Sequence, residues 1–530
     1  MSHRFNLPTS LAGVDSLGRM LPVAEIPRAE KPRAVGLFYF LWCGEHGRHA
    51  PYDVSKIVKA DPDAGYHTDS PLWGSVGTYH HWGEPFYGYY YSDDEWVIRR
   101  HMMLFCDAGV DFLYFDTTNA VIYEKNVRIV LRVLQEFYDA GYRIPKVMFY
   151  TNTASGKTVE AIYEAIYRPH YCPDTWFYFE GKPVIIAVEE ECSPEAQAFF
   201  NIKMAQWPNE PDKQGGWPWM DFTKPQRVFE NLRGEAEVIN VSVAQHPQLR
   251  FGDSVLYGET GNCGRAYHDG ANDPDPKAFL GGANFGEQFA RAIDVDVPVV
   301  LVTGWNEWIA GRWQGIPERP IMFVDCANPE YSRDLEMMRG GYFDNYYLQF
   351  IACIRAYKGQ TLPETNRNIC YHVPGGNLHR DNDGYGTHYT NDTGRNALAT
   401  LELFPEGDTI SVRVAAHTAL SDANDRDGSF MQVFVTGAGE KNGLFTTRIT
   451  QDGAFLAKVD PADFTISVAE TAIAAEIAAD SVTYRIPRAL LPDGELWWKA
   501  ADSRETIRCG ADFYDKGDTI PAGRLWFVER

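Results

Sequence analysis

From Arg33 to about residue 357 the chain alternates short apolar runs with amphipathic stretches of helical period. The runs Ala34–Leu41, Val110–Asp116, Lys146–Tyr150, Pro183–Val188 and Val299–Thr303 are rich in β-branched and aromatic residues. With so few polar positions, they predict strands buried on both faces of a parallel sheet. Weaker runs at 199–205, 237–244 and 321–324 bring the count to roughly eight. Between them, Ser92-Asp-Asp-Glu95 has the form of a capping box and opens a helix that stops at Gly109. Helical spacing recurs over Asn126–Tyr138, Thr158–Ile166 and Phe285–Ile293. Alternation of this kind predicts an α/β chain with a (β/α)8 TIM barrel over residues 33–362. A doubly wound open sheet is the rival. It would carry a Gly-rich phosphate turn after its first strand, and Trp42-Cys-Gly-Glu-His-Gly47 is not one.

Beyond residue 363 the period shortens to two. Runs such as Thr409–Val414 and Phe430–Val435, parted by Gly, Asp and Asn turns, predict an all-β sandwich over residues 363–530. Residues 1–32 lack periodicity and predict an extended arm laid over a domain surface, with a disordered tail as the alternative.

Composition narrows the chemistry. A net charge of −23 opposes a nucleic-acid partner and, more weakly, an anionic membrane. No segment is apolar and long enough to span a bilayer. Nine cysteines, an odd number without a C-x-x-C pair, suit reduced thiols in a cytoplasm-like compartment. The stretch Met1-Ser-His-Arg-Phe-Asn-Leu-Pro8 has no apolar h-region after its basic residues, so no secretory signal is expected in it, with a processed secreted form left open.

The stretch Thr303-Gly-Trp-Asn-Glu-Trp308 sets a carboxylate, an amide and two indoles at the carboxyl end of a buried strand, where a barrel keeps its active site. Glu307 is the first catalytic candidate, with Trp305, Asn306 and Trp308 as sugar-binding neighbours. Glycosidic cleavage needs two carboxyl groups. Glu259 is the leading partner and Asp116 the next. A structural role for Glu307, held by Asn306 among core indoles, is the competing reading. Arg265, His268, His81, Trp82 and Tyr39 are further candidates around a sugar. The run Glu189-Glu-Glu191 reads as a solvated loop face. Adjacent His80 and His81 without H-E-x-x-H give no metal site, and Asp422–Gly428 lacks the full spacing of a calcium loop. Neither a metal nor an organic cofactor is expected.

Together with Phe38-Tyr-Phe-Leu-Trp42 and Phe112-Leu-Tyr-Phe-Asp-Thr-Thr-Asn119, the Trp-Asn-Glu-Trp stretch resembles glycoside hydrolases of the family 99 and family 71-like barrels. The resemblance implies a (β/α)8 barrel that hydrolyses an oligo- or polysaccharide without a metal. Those relatives commonly read Trp-Asn-Glu-Trp-x-Glu-Gly with both glutamates catalytic, whereas Ala310 stands at the second position here. The second carboxylate must therefore come from elsewhere, or the chain is a non-catalytic glycan-binding protein. The tail, through Leu496–Asp502, Asp512–Asp518 and Gly523–Trp526, resembles a degenerate family 9 carbohydrate-binding module. A structural lid on the barrel is the alternative.

Overall fold

The protein is seen in a computed structural model that describes residues 10–27, 32–48, 50–247, 254–258, 261–324, 327–361, 368–372, 379–382, 389–421, 429–439 and 443–529. Glu259, the Asp422–Gly428 loop and the expected boundary at 362/363 lie outside the described residues.

The first half is built on one twisted sheet. Its strands in chain order are β1 (Ala34–Tyr39), β2 (Phe112–Thr117), β3 (Lys146–Thr151), β4 (Lys182–Ala187), β5 (Asn201–Gln206), β6 (Gly216–Pro218), β7 (Val228–Glu230), β8 (Ala236–Ser242) and β9 (Val299–Thr303). They pair in the order β6-β5-β4-β3-β2-β1-β9-β8-β7. Every pair along this path is parallel except β7–β8, and a tenth strand, Tyr178–Phe179, joins β4 antiparallel off the path. Helices α1 (Glu95–Ala108), α2 (Glu124–Asp139), α3 (Ser155–Ile162), α4 (Pro194–Phe199) and α5 (Ala283–Val295) cover one face, and α6 (Asn345–Lys358) follows β9.

The expected (β/α)8 barrel is therefore corrected. Among the described residues strand (33%) outweighs helix (23%), and the sheet forms a half-barrel whose hydrogen-bonded path has two ends. The eightfold repeat fails between β5 and β8. That stretch carries Pro208, Pro211, Pro218 and Pro225 with Gly215 and Gly216. Proline removes a backbone donor and clashes with the preceding turn, so no crossover helix forms and the chain makes short strands instead. The 321–324 run is no sheet strand either. It belongs to a separate hairpin, Arg319–Met322 paired with Trp313–Ile316. At α1 the N-cap is Asp94 rather than Ser92, whose hydroxyl accepts from the Cys43 amide. Gly109 closes the helix at φ 78°, the left-handed position that favours glycine.

Alternation along the strands explains their unbroken apolar character. Val35, Leu37 and Tyr39 pack toward the helices, whereas Phe38 and Phe40 join Tyr114, Tyr150 and Leu301 on the concave face. Both faces are largely covered, so most positions on either are apolar and the buried polar ones, such as Lys203 with Glu237, are paired.

The second half is built on one continuous antiparallel sheet of twelve strands, eleven of its own and one from the amino-terminal arm. Strand Ile466–Ile477 pairs with Gly453–Val459 through its first part and with Ser481–Pro487 through its second. The sheet thus folds back on itself. Val412, Val482 and Tyr484 from one layer share a core with Val433, Leu456 and Trp498 from the other. Trp497, Trp498 and Trp526, singled out in the tail, are all buried in these cores and do not present a sugar-binding face. Of the expected arm, residues 10–27 are described. Leu11–Ala12 adds to the sheet beside Trp526–Glu529, and Arg355 of α6 donates to the Leu11 and Pro22 carbonyls.

Candidate functional site

Strand β9 ends at Thr303, and the next five residues are fastened at nearly every polar atom. Trp305 donates its amide to Phe38, and its indole is fully buried against His101, Phe105 and Tyr347 on the helix side. Asn306 clamps the end of β1: Oδ1 accepts the Phe40 amide at 2.8 Å and Nδ2 donates to the Phe40 carbonyl at 3.0 Å. The Trp308 ring stacks on Trp82 with centroids 4.3 Å apart, and its N–H donates to Glu336. Trp82 donates to the Glu307 carbonyl at 2.9 Å. All four residues, expected around a sugar, are engaged in contacts that shape the loop.

A second segment lies alongside. Gly304 donates to the Arg333 carbonyl, Leu335 to the Gly304 carbonyl and Glu336 to the Trp305 carbonyl, so residues 333–336 run as a strap beside 304–305. Its side chains reach the same loop. Arg333 pairs with the Glu307 carboxylate, Nε lying 3.2 Å from Oε2. Asp334 Oδ1 accepts the Glu307 amide at 2.7 Å. Glu336 accepts from Tyr90 at 2.6 Å and from the Trp308 indole, and lies 2.9 Å from His101, whose other nitrogen meets the Tyr39 hydroxyl. Burial pushes the Asp334 carboxyl well above the usual carboxylate range, although the Glu307 amide, Arg265 and Arg333 pull the other way.

The Glu307 carboxyl opens onto a cleft with two lobes, and Asp116, Glu307 and Val324 line both. One lobe, ≈ 340 Å³, is walled by Phe38, Phe40, Trp207, Trp219 and Phe222, with His246 and Arg333 at its polar edge. The other, ≈ 310 Å³, is walled by Trp42, His46, Tyr79, Asn119 and Trp313. Asp116, at the end of β2, accepts from the Thr118 amide at 3.1 Å and its hydroxyl at 2.8 Å. Asn119 donates to Tyr123, which lies 3.2 Å from His46, and His46 stacks on Tyr79. Trp313 is half exposed, with its ring over Gly311.

The structure brings together two of the sequence candidates, Glu307 and Asp116, and sets others apart. Arg265 is fully buried between the Tyr342 and Tyr346 rings and donates to Ser332 and to the Asp334 carbonyl, so it braces the strap. His268 is exposed beside Asp269 and Asp273 on a small hairpin and does not line the cleft. Tyr39 points to the helices because its neighbours Phe38 and Phe40 take the cleft face. His81 is buried edge-on to Tyr89, in a strand that pairs with Ile309–Gly311. Both nitrogens of His80 meet backbone carbonyls. Among the described residues no cluster of His, Cys, Asp and Glu could hold a metal ion. Glu189–Glu191 forms one exposed turn.

Sequence reasoning passed over Arg333, Asp334 and the cleft aromatics Trp42, Trp207, Trp219 and Trp313. The crowding of tryptophan at 207, 217 and 219 within a proline-rich stretch was a usable signal for the last group. Arg333 and Asp334 had none, since their role depends on a strap contact across 26 residues.

No protein-family model matches this chain, and no curated protein matches it. No helix among the described residues is long and apolar enough to cross a membrane, and the described cysteines are all free.

Proposed function

We propose that the protein is a glycoside hydrolase acting on an oligo- or polysaccharide, with Asp116 and Glu307 as its carboxyl pair. The observation that carries this reading is their place at the waist between two aromatic lobes. Aromatic faces stack on the C–H faces of sugar rings, and a bond held between the lobes would lie over both acids. Sugar units then occupy the cleft on either side of the cleaved linkage. This arrangement makes Asp116 the second acid of the proposed pair. The motif resemblance to the family 99 and family 71-like hydrolases agrees with the class of reaction.

A second reading, a glycan-binding protein without catalysis, is favoured by Ala310. That residue fills the usual second-glutamate position with a methyl group, in a short strand paired to His80.

The deciding experiment offers a panel of glycans to the wild type, Glu307→Gln and Asp116→Asn, with binding followed in parallel by calorimetry. Hydrolysis by the wild type that drops at least about 10³-fold in both variants, with binding retained, supports the hydrolase. Binding by all three with cleavage by none supports the second reading. Undiminished cleavage by either variant removes that residue from the pair.

A further inference from the structure

Glu307 is gripped from two sides by adjacent residues of one strap. Arg333 meets its carboxylate and Asp334 its backbone amide. The strap is itself immobilised: its backbone pairs with Gly304 and Trp305, Arg265 donates to Ser332 and to the Asp334 carbonyl, and the Arg333 guanidinium lies 5.1 Å from the Trp219 ring centre. Such a preorganised grip does more than orient a side chain. It gives one of the two carboxyl groups in the cleft a fixed counter-ion.

We propose that Arg333 and Asp334 are positioning residues that divide the labour of the pair, Arg333 keeping Glu307 as the carboxylate and Asp334 anchoring its backbone, so that Asp116 delivers the proton. The inference rests on the hydrolase reading above. Two carboxylates in one low-dielectric cleft do not both ionise cheaply, and the member facing a guanidinium loses its proton first. The Asp116 proton then moves to the glycosidic oxygen as the C1–O bond breaks, and the bonding electrons leave with that oxygen. Glu307 either bonds C1 and is later displaced by water, or takes a proton from the water that does. Among the described residues, the titratable groups facing Glu307 are Arg333 and Asp334 from the strap, Asp116 from β2, His46 and Tyr79 in the second lobe, and His246 beyond β8, whose Nε2 is held on the Tyr331 carbonyl.

Asp334 fits the anchoring role in a particular way. Its Oδ2 is buried without a hydrogen-bond partner among the described residues, and burial pushes the group up, toward the neutral acid. A neutral Asp334 adds no second negative charge beside the Arg333–Glu307 pair. An amide at this position would do the same while still accepting the Glu307 N–H.

The test compares Arg333→Met, Arg333→Lys, Asp334→Asn and Asp334→Ala across pH. In Arg333→Met we expect kcat to fall at least about 100-fold and the acidic limb of kcat/KM to move up by about one unit or more. Arg333→Lys should restore much of both. Asp334→Asn should keep the limb in place and stay within about tenfold of wild type, whereas Asp334→Ala loses the anchor and falls further. Activated aryl glycosides, which need little protonation of the leaving group, should rescue Asp116→Asn and not Glu307→Gln. An unmoved limb in Arg333→Met, or rescue of the wrong acid, overturns the inference while leaving the hydrolase standing. If the wild type cleaves nothing, the hydrolase reading fails, and amide exchange still tests the grip. The peptide spanning 304–308 should exchange at least about tenfold faster in Asp334→Ala, and unchanged exchange refutes the anchor.

Discussion

Asn306 shows how little of a residue's job its type discloses. Beside a carboxylate and two indoles, an amide looks like a ligand for sugar hydroxyls, yet both of its polar ends are spent on the backbone of Phe40. Replacing it with the isosteric acid separates these roles. Asn306→Asp keeps the acceptor for the Phe40 amide but turns a donor into an oxygen facing the Phe40 carbonyl. We expect a loss of about 1–3 kcal/mol of stability, read as a lower urea midpoint, with glycan affinity unchanged once the protein is folded. Weakened binding without loss of stability would return Asn306 to the sugar. That Glu307 and Asp116 share a cleft was legible because both stand at the carboxyl ends of apolar strands, where such a sheet gathers its polar groups. Arg333 was not, because nothing local marks an arginine that meets its carboxylate through a distant turn.

Strands were easier to read than connections. Seven of the apolar runs became sheet strands because both sheet faces are covered, which leaves a plain signal in the sequence. The missing helices between β5 and β8 were written in prolines, but a count of strand-like runs outweighed them. Gly36 was a similar clue, a lone glycine inside an apolar strand. A Cβ at that position would lie 2.2 Å from the Phe112 ring across the β1–β2 pair, and Phe112 is itself stacked on Phe177 at 4.1 Å. Gly36→Ala must therefore displace a ring that has nowhere to go. The expected cost is about 1–3 kcal/mol, visible as a lower melting temperature of the half-barrel. A variant as stable as wild type would mean that the two strands can part locally at no cost.

The two halves of the molecule meet over two acids, Asp344 fully buried and Asp515 partly so. Asp344 accepts from Tyr514 at 3.0 Å and pairs with Arg524 at 3.1 Å, while Asp515 faces Arg339 and Arg100. Burial pushes both carboxyls up to about 6, against the pull of those cations. An acid raised on folding holds its proton longer in the native state. Its contribution is therefore whole below about pH 4 and is lost as pH rises through about 6. Other acids act oppositely: the Arg132 hydrogen bond holds Glu95 below its ordinary value, and that stabilisation disappears in stronger acid. The expected melting temperature is highest near pH 5 and lower at pH 8. Combining Asp344→Asn with Asp515→Asn should flatten the fall between them. A profile equally steep in the double variant would assign the slope to the general charge of −23 instead.

The pairing of Leu11–Ala12 with Trp526–Glu529 carries a consequence for biosynthesis. A ribosome delivers one of these strands about five hundred residues before its partner. Throughout elongation the early segment has no edge to join, although Arg355 and Gln360 can already hold its flanking carbonyls once α6 has emerged. The half-barrel is thus free to fold as it is made, and the stitch that ties it to the second sheet closes only after residue 526 has emerged. Nascent chains stalled before residue 526 should carry residues 11–12 open to proteolysis and to pairing with strands of other chains.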